Sequence, residues 1–141
     1  MIEKKDLDYL LQIKNLKMHF PVKAGIILDH VVGWVRALDG IDLTIHPRQV
    51  IGLVGESGSG KTTLAKVLLL LEKPTNGEVL FKGKNIQSLD HPELKAYRRT
   101  LQAVFQDPFA SLSPRLRVRE IITEPLEVSS TLSKRSWKTR L

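Results

Sequence analysis

Between Gly55 and Thr62 the chain reads Gly-Glu-Ser-Gly-Ser-Gly-Lys-Thr, a full match to the Walker A pattern G-x-x-x-x-G-K-[ST]. These residue types at this spacing suit one task, holding a polyphosphate. Backbone N–H groups supply most of the hydrogen bonds, and a side chain at a motif glycine blocks the approach of the anion. Lys61 can place its ammonium on the outer phosphates, and the Thr62 hydroxyl can ligate magnesium. A helix starting near Gly60 aims its positive dipole end at the charge. Ser57, Gly58 and Ser59 complete the loop, and Thr63 can add a hydroxyl near the inner phosphates. The pattern arises by chance in roughly one chain of this length in several hundred, so a glycine-rich turn with no phosphate role is the weaker reading.

Such a loop works only between a strand and a helix, and both are predicted. Val50-Ile51-Gly52-Leu53-Val54 reads as a short buried strand, and Leu64 to Leu71 is strongly helix-forming. Upstream, Leu11 to Leu16 alternates apolar with polar and reaches a closing Phe20-Pro21; Val35 to Ile45 alternates again, and His46-Pro47-Arg48-Gln49 turns the chain into the phosphate-loop strand. The opening third is therefore expected to be a small antiparallel sheet, with Gly25 to Gly33 an apolar interruption of no assigned form. Downstream, Pro74 to Gly77 reads as a turn, Glu78 to Phe81 as a short strand and Gly83 as a break. Asp90 is placed to cap a helix running to about Arg99, with Pro92 in the first turn and Glu93 completing a capping box. Leu101 to Phe105 reads as a core strand, and Val118 to Glu127 as a helix containing Pro125.

The chain of 141 residues is the length of one domain. It has no cysteine, and His19, His30, His46 and His91 lie too far apart in sequence to suggest a metal site. Its longest apolar run, Val67 to Leu71, is too short to span a bilayer, and the charged first residues lead into no secretory signal, so an intracellular, soluble chain is expected. The 22 basic and 15 acidic side chains leave a formal charge of +7. Basic residues cluster at Arg98-Arg99, at Arg115, Arg117 and Arg119, and at Lys134 to Arg140, with little aromatic interleaving for base stacking, so no nucleic-acid partner is expected.

Together these motifs resemble the ATP-binding subunits of ABC transporters, and within them those of bacterial oligopeptide and dipeptide importers. The likeness is carried by Leu16 to Lys23, Val35 to Ile41, Gly52 to Leu64, and Val104-Phe105-Gln106-Asp107-Pro108-Phe109-Ala110-Ser111-Leu112-Ser113-Pro114-Arg115, which is similar to the family's Q-loop segment about 45 residues after the phosphate lysine. The resemblance implies ATP and magnesium as ligands. It implies that Phe20 stacks on adenine, although a buried Phe closing a strand is an alternative on physics alone. It also implies that Gln106 touches the magnesium shell and senses a membrane partner, where a polar residue ending a strand is the alternative. The implied partners are a second ABC ATPase subunit, transmembrane permease subunits reached through the Q-loop region and, indirectly, an extracytoplasmic peptide-binding protein. The implied location is cytoplasmic, on the inner face of the membrane. One departure is Arg48-Gln49, standing where the family usually has Gly-Glu.

No glycine follows Gly83, no histidine follows His91, and the last aspartate is Asp107, so the family's signature, Walker B and histidine-loop segments are not in these residues. Reading Leu101 to Asp107 as the Walker B strand fails because Gln102 and Gln106 interrupt the apolar run and Pro108 stands at the catalytic glutamate position. The expected fold is α/β: a P-loop NTPase core with an N-terminal antiparallel β subdomain, truncated before the signature and Walker B segments. Within it, residues 11–54 are expected to form the antiparallel sheet and phosphate-loop strand, 55–71 the Walker A loop and helix, and 72–141 the remaining β elements, Q-loop and start of a helical subdomain. The expected function is ATP binding within the subunit that energises peptide import, with no turnover by these residues alone, since positioning groups are present and a general base is not. The alternatives are a truncated fragment that binds without hydrolysing, or another P-loop enzyme; no Asn-Lys-x-Asp guanine reader supports a GTPase.

Overall fold

A computed structural model describes residues 8–24, 30–107 and 112–129. They belong to two compact units, one ending at Arg98 and one beginning at Arg99.

The first unit is built on a four-stranded antiparallel sheet in the order β2-β1-β3-β4. Strand β1 (Leu11–Ala24) is central, between β2 (His30–Ile45) and β3 (Asn76–Phe81), and the short β4 (Lys84–Asn85) closes the edge. The alternation in β1 is what buries one face: Leu11, Ile13, Leu16 and Met18 all lie in the core, opposite Val79 on β3 and Leu38 on β2. One extra residue at Asn15, whose φ is 44°, moves the buried series from odd to even positions. Helix α1 (Lys61–Leu68) covers this face with Leu64 and Val67.

The expected sheet is present but larger than the opening third of the chain, because Thr75 to Asn85 joins it. Thr75 is not in a free turn: its N–H donates to Lys17 O at 2.8 Å, and its hydroxyl accepts from the His19 N–H at 2.9 Å. Lys82 and Gly83, with φ of 48° and 80°, form the two-residue turn between β3 and β4. Nor does β1 close at Pro21. It continues to Ala24, because β3 leaves it at Lys17 and the remaining arm is paired with β2 alone, where a missing N–H is tolerated. Of the Gly25 to Gly33 interruption, His30 to Gly33 is strand and the rest lies outside the described residues.

Two expected strands are not formed. Residues 50–54 have no regular structure, with Val50 97% and Val54 94% exposed, and Leu101 to Phe105 is likewise irregular, with Val104 93% exposed. The division at residue 54 therefore marks no strand end. A parallel strand is stable only with neighbouring strands and with helices over its faces. Among the described residues no strand pairs with either segment.

Helix α1 also stops earlier than expected, at Leu68. Leu70 adopts φ 57° and the chain doubles back, the Leu71 N–H reaching Lys66 O at 2.9 Å and the Leu70 N–H reaching Val67 O at 3.0 Å. Helix α2 (His91–Thr100) starts on the expected capping box: the Glu93 N–H donates to the Asp90 carboxylate at 2.9 Å and the Asp90 N–H to Glu93 at 3.3 Å. Glu93 also pairs with Lys84 of β4. In the second unit, α3 (Val118–Ser129) is formed and contains Pro125, as the sequence predicts.

Tyr97 ties α2 to α1. It is 3% exposed, meets Phe81 edge to face at 5.1 Å, and donates its hydroxyl proton to Leu68 O at 2.6 Å, satisfying a carbonyl left over at the end of α1. Burial pushes its pKa up to about 12. The folded pKa lies above that of the unfolded chain, so the neutral phenol's contribution is complete below pH 10 and is lost as pH rises through 12. Stability is therefore expected to fall at up to about 1.4 kcal/mol per pH unit in that window. Tyr97→Phe removes this alkaline transition and costs about 1 kcal/mol at pH 7; denaturant titrations across pH 9 to 12 check both.

Candidate functional site: the 55–63 loop

The loop sits where the irregular segment 46–60 meets α1. Gly60 is the residue before the helix, at φ 91°, and Leu64 is the first to donate within the helix, to Gly60 O at 2.9 Å. The N–H groups of Lys61, Thr62 and Thr63 therefore have no acceptor inside α1, and the first turn carries no acidic side chain. A helix start of this kind favours an anion.

What fixes the loop is its seat on β2. The pairing of Met18 with Leu38 and of His19 with Arg36 leaves Ala37 as an extra residue, a bulge in β2. Its carbonyl lies against Gly60: a Cβ added there would stand 2.4 Å from Ala37 O and 3.0 Å from a Leu38 methyl. Backbone on backbone, with no side chain between, sets the position of the helix start.

Lys61 lies back across its own loop. Its ammonium donates to Gly55 O and Glu56 O, each at 2.6 Å, and to Ser59 Oγ at 3.0 Å. The Ser59 N–H closes the turn on Glu56 O at 3.2 Å, and a Cβ at Gly55 would reach within 2.7 Å of Ser59 Oγ. Gly55, Glu56, Ser59 and Lys61 are thus joined by hydrogen bonds at the surface; Gly55 and Ser57 to Ser59 are exposed, as is Thr62, and Gly60, Lys61 and Thr63 are half-buried.

Phe20 is half-buried on β1, two residues beyond Met18 and so on the α1 face of the sheet. Its partner across the ladder is Val35, two residues from the Ala37 bulge, and Val35 is 55% exposed. The sequence-predicted aromatic is therefore presented on the same strand pair, and near the same position, that seats the loop. Gln106 is exposed in an irregular stretch of the second unit. Of its flanking motif, residues 108–111 lie outside the described residues, as does the basic stretch from Leu132. The bulge at Ala37 and the acceptors of Lys61 were not read from the sequence. A strand's alternation reports where side chains point and carries no signal for a backbone carbonyl's position. Among the described residues no helix is long and apolar enough to cross a membrane.

A complete Walker A motif running into the start of a helix is the mark of a P-loop nucleotide-binding domain. The profile of the ABC transporter family matches residues 38–140, and the chain belongs to that family. It is 45% identical over 128 residues to the probable peptide ABC transporter ATP-binding protein y4tS of Sinorhizobium fredii, covering 91% of this chain and 36% of that protein. It is 41% identical to the oligopeptide transport ATP-binding protein AppF of Bacillus subtilis, over 89% of this chain and 38% of AppF. Against the dipeptide transport ATP-binding protein DppF of Escherichia coli the identity is also 41%, over 89% and 37%. The chain thus spans little more than a third of these relatives. Among solved structures, a dimeric post-hydrolysis state of the ATP-binding cassette MJ0796 bound to ADP and Pi aligns with TM-score 0.71 and 27% identity, over 92% of this chain and 52% of its own.

Proposed function

We propose that the chain binds Mg-ATP through residues 55–63 and belongs to the ATP-binding subunit that energises peptide import by an ABC transporter. The observation that carries the reading is the seated helix start: Gly60 pressed on the Ala37 carbonyl, three N–H groups directed out of α1, and Lys61 held over the loop. The site fits the ligand, since the first three N–H groups of α1 have no acceptor within the helix and the Lys61 ammonium stands over the same loop. The loop N–H groups and Lys61 bind and orient the phosphates, and Phe20 offers a flat apolar face to the adenine. Thr62 is the side chain of this loop assigned to the magnesium. When bound, magnesium neutralises charge on the outer phosphates.

The peptide substrate class is taken from the names of relatives at 41 to 45% identity, and dimerisation from the dimeric cassette it resembles. The assigned partners are a second ATPase subunit and transmembrane permease subunits contacted near Gln106, with an extracytoplasmic peptide-binding protein acting indirectly. The assigned place is the cytoplasmic face of the membrane.

The test is a thermal melt with and without Mg-ATP. At a hundred times its dissociation constant the ligand adds about 2.7 kcal/mol, a shift on the order of 10 °C for a domain of this size. Lys61→Ala is expected to lose that shift while melting normally without ligand. An equal shift in both proteins overturns the assignment of the site.

A further inference from the structure

An ammonium has three N–H groups, and those of Lys61 are all engaged: by Gly55 O, by Glu56 O and by Ser59 Oγ. The first two acceptors are backbone and belong to the loop whatever its side chains. The third is a side chain, and its bond is the longest of the three, 3.0 Å against 2.6 Å. Ser59 reaches Lys61 because the turn closed by its N–H on Glu56 O brings its hydroxyl over Gly55, where any side chain would collide with it.

We propose that Ser59 is a positioning residue that holds the third N–H of Lys61 and competes for it with nucleotide phosphate. This rests on the reading of the loop as a polyphosphate site. For the ammonium to meet a phosphate oxygen it must release one acceptor. The two short carbonyl bonds hold the lysine over the loop; the longer bond to a neutral, exposed hydroxyl is the one exchanged. A charged phosphate oxygen adds the attraction of opposite charges to the hydrogen bond, which a neutral hydroxyl cannot, so phosphate wins. The held state still lowers the apparent affinity in proportion to its population. With Ser59 engaged in roughly three-quarters to nine-tenths of molecules, its removal tightens binding fourfold to tenfold.

The experiment is calorimetric titration of the full chain and its Ser59→Ala and Ser59→Thr variants with Mg-ATP and with Mg-pyrophosphate, which carries no base for Phe20. Ser59→Ala is expected to bind both ligands fourfold to tenfold more tightly than wild type. Ser59→Thr keeps the hydroxyl and is expected to match wild type. Residue-resolved acetylation of the ligand-free chain reads the hold on Lys61 separately from affinity: Lys61 is expected to react faster in Ser59→Ala and at the wild-type rate in Ser59→Thr, with other lysines unchanged. Unchanged or weaker binding by Ser59→Ala, or a gain for Mg-ATP without one for Mg-pyrophosphate, overturns the competition and leaves the site assignment standing. Failure of wild type to bind either ligand overturns the site assignment, and the competition falls with it.

Discussion

Gly60→Ala is expected to lower the stability of the chain by about 2–4 kcal/mol and to weaken Mg-ATP binding at least tenfold. Two costs add. An alanine at φ 91° occupies backbone space that L side chains rarely adopt, worth roughly 1–3 kcal/mol. Its methyl would also meet the Ala37 carbonyl oxygen at 2.4 Å, so the helix start must move off β2. That movement carries away the N–H groups of Lys61, Thr62 and Thr63, which is why binding suffers beyond the loss of stability. Gly52→Ala is the control: a Cβ there meets nothing within 4 Å, and the change is expected to stay within about 0.5 kcal/mol with binding intact. Urea titration and Mg-ATP titration of the two variants check the pair. Equal behaviour of Gly60→Ala and Gly52→Ala contradicts the seating of the loop on the bulge.

Gly77→Ala is expected to cost more, at least about 3 kcal/mol, through the sheet alone. Gly77 has φ 87° and lies against the middle strand where Asn15 bulges: a Cβ would stand 2.3 Å from Asn15 O and 2.6 Å from Leu16 Cα. Neither atom belongs to a side chain that can turn away. Relief requires β3 to draw back from β1, and that opens the pair Ile13 and Val79, both fully buried. The expected result is a lower urea midpoint with the affinity for Mg-ATP preserved in the fraction that stays folded, because β3 takes no part in the loop. Loss of binding in that folded fraction contradicts the independence of the two regions.

The difference between these two glycines shows what the sequence could and could not reveal. Gly60 was legible as a phosphate-loop residue because the motif spacing names it; that its partner is the Ala37 carbonyl was not, since a bulge alters register without altering the pattern of side chains. Gly77 reads as part of a turn, although it is the second residue of β3, because the residue that makes glycine necessary there, Asn15, is distant in sequence. The capping box of α2 was legible in full, since both of its hydrogen bonds run between Asp90 and Glu93. The core role of Tyr97 is masked by the charged residues of α2 around it, though its spacing three residues after Leu94 marks an apolar stripe. Val50 to Val54 and Leu101 to Phe105 failed for the opposite reason. Their composition states what such segments require, which is a sheet around them, and the described residues do not provide one.

The central claim is that residues 55–63 cradle the phosphates of ATP, and amide-resolved NMR reads it most directly. In ¹H–¹⁵N spectra recorded as Mg-ATP is added, the largest shifts are expected at the N–H groups from Gly58 to Thr63, with smaller ones near Phe20. Shifts absent from the loop, or confined to residues away from it, would contradict the claim.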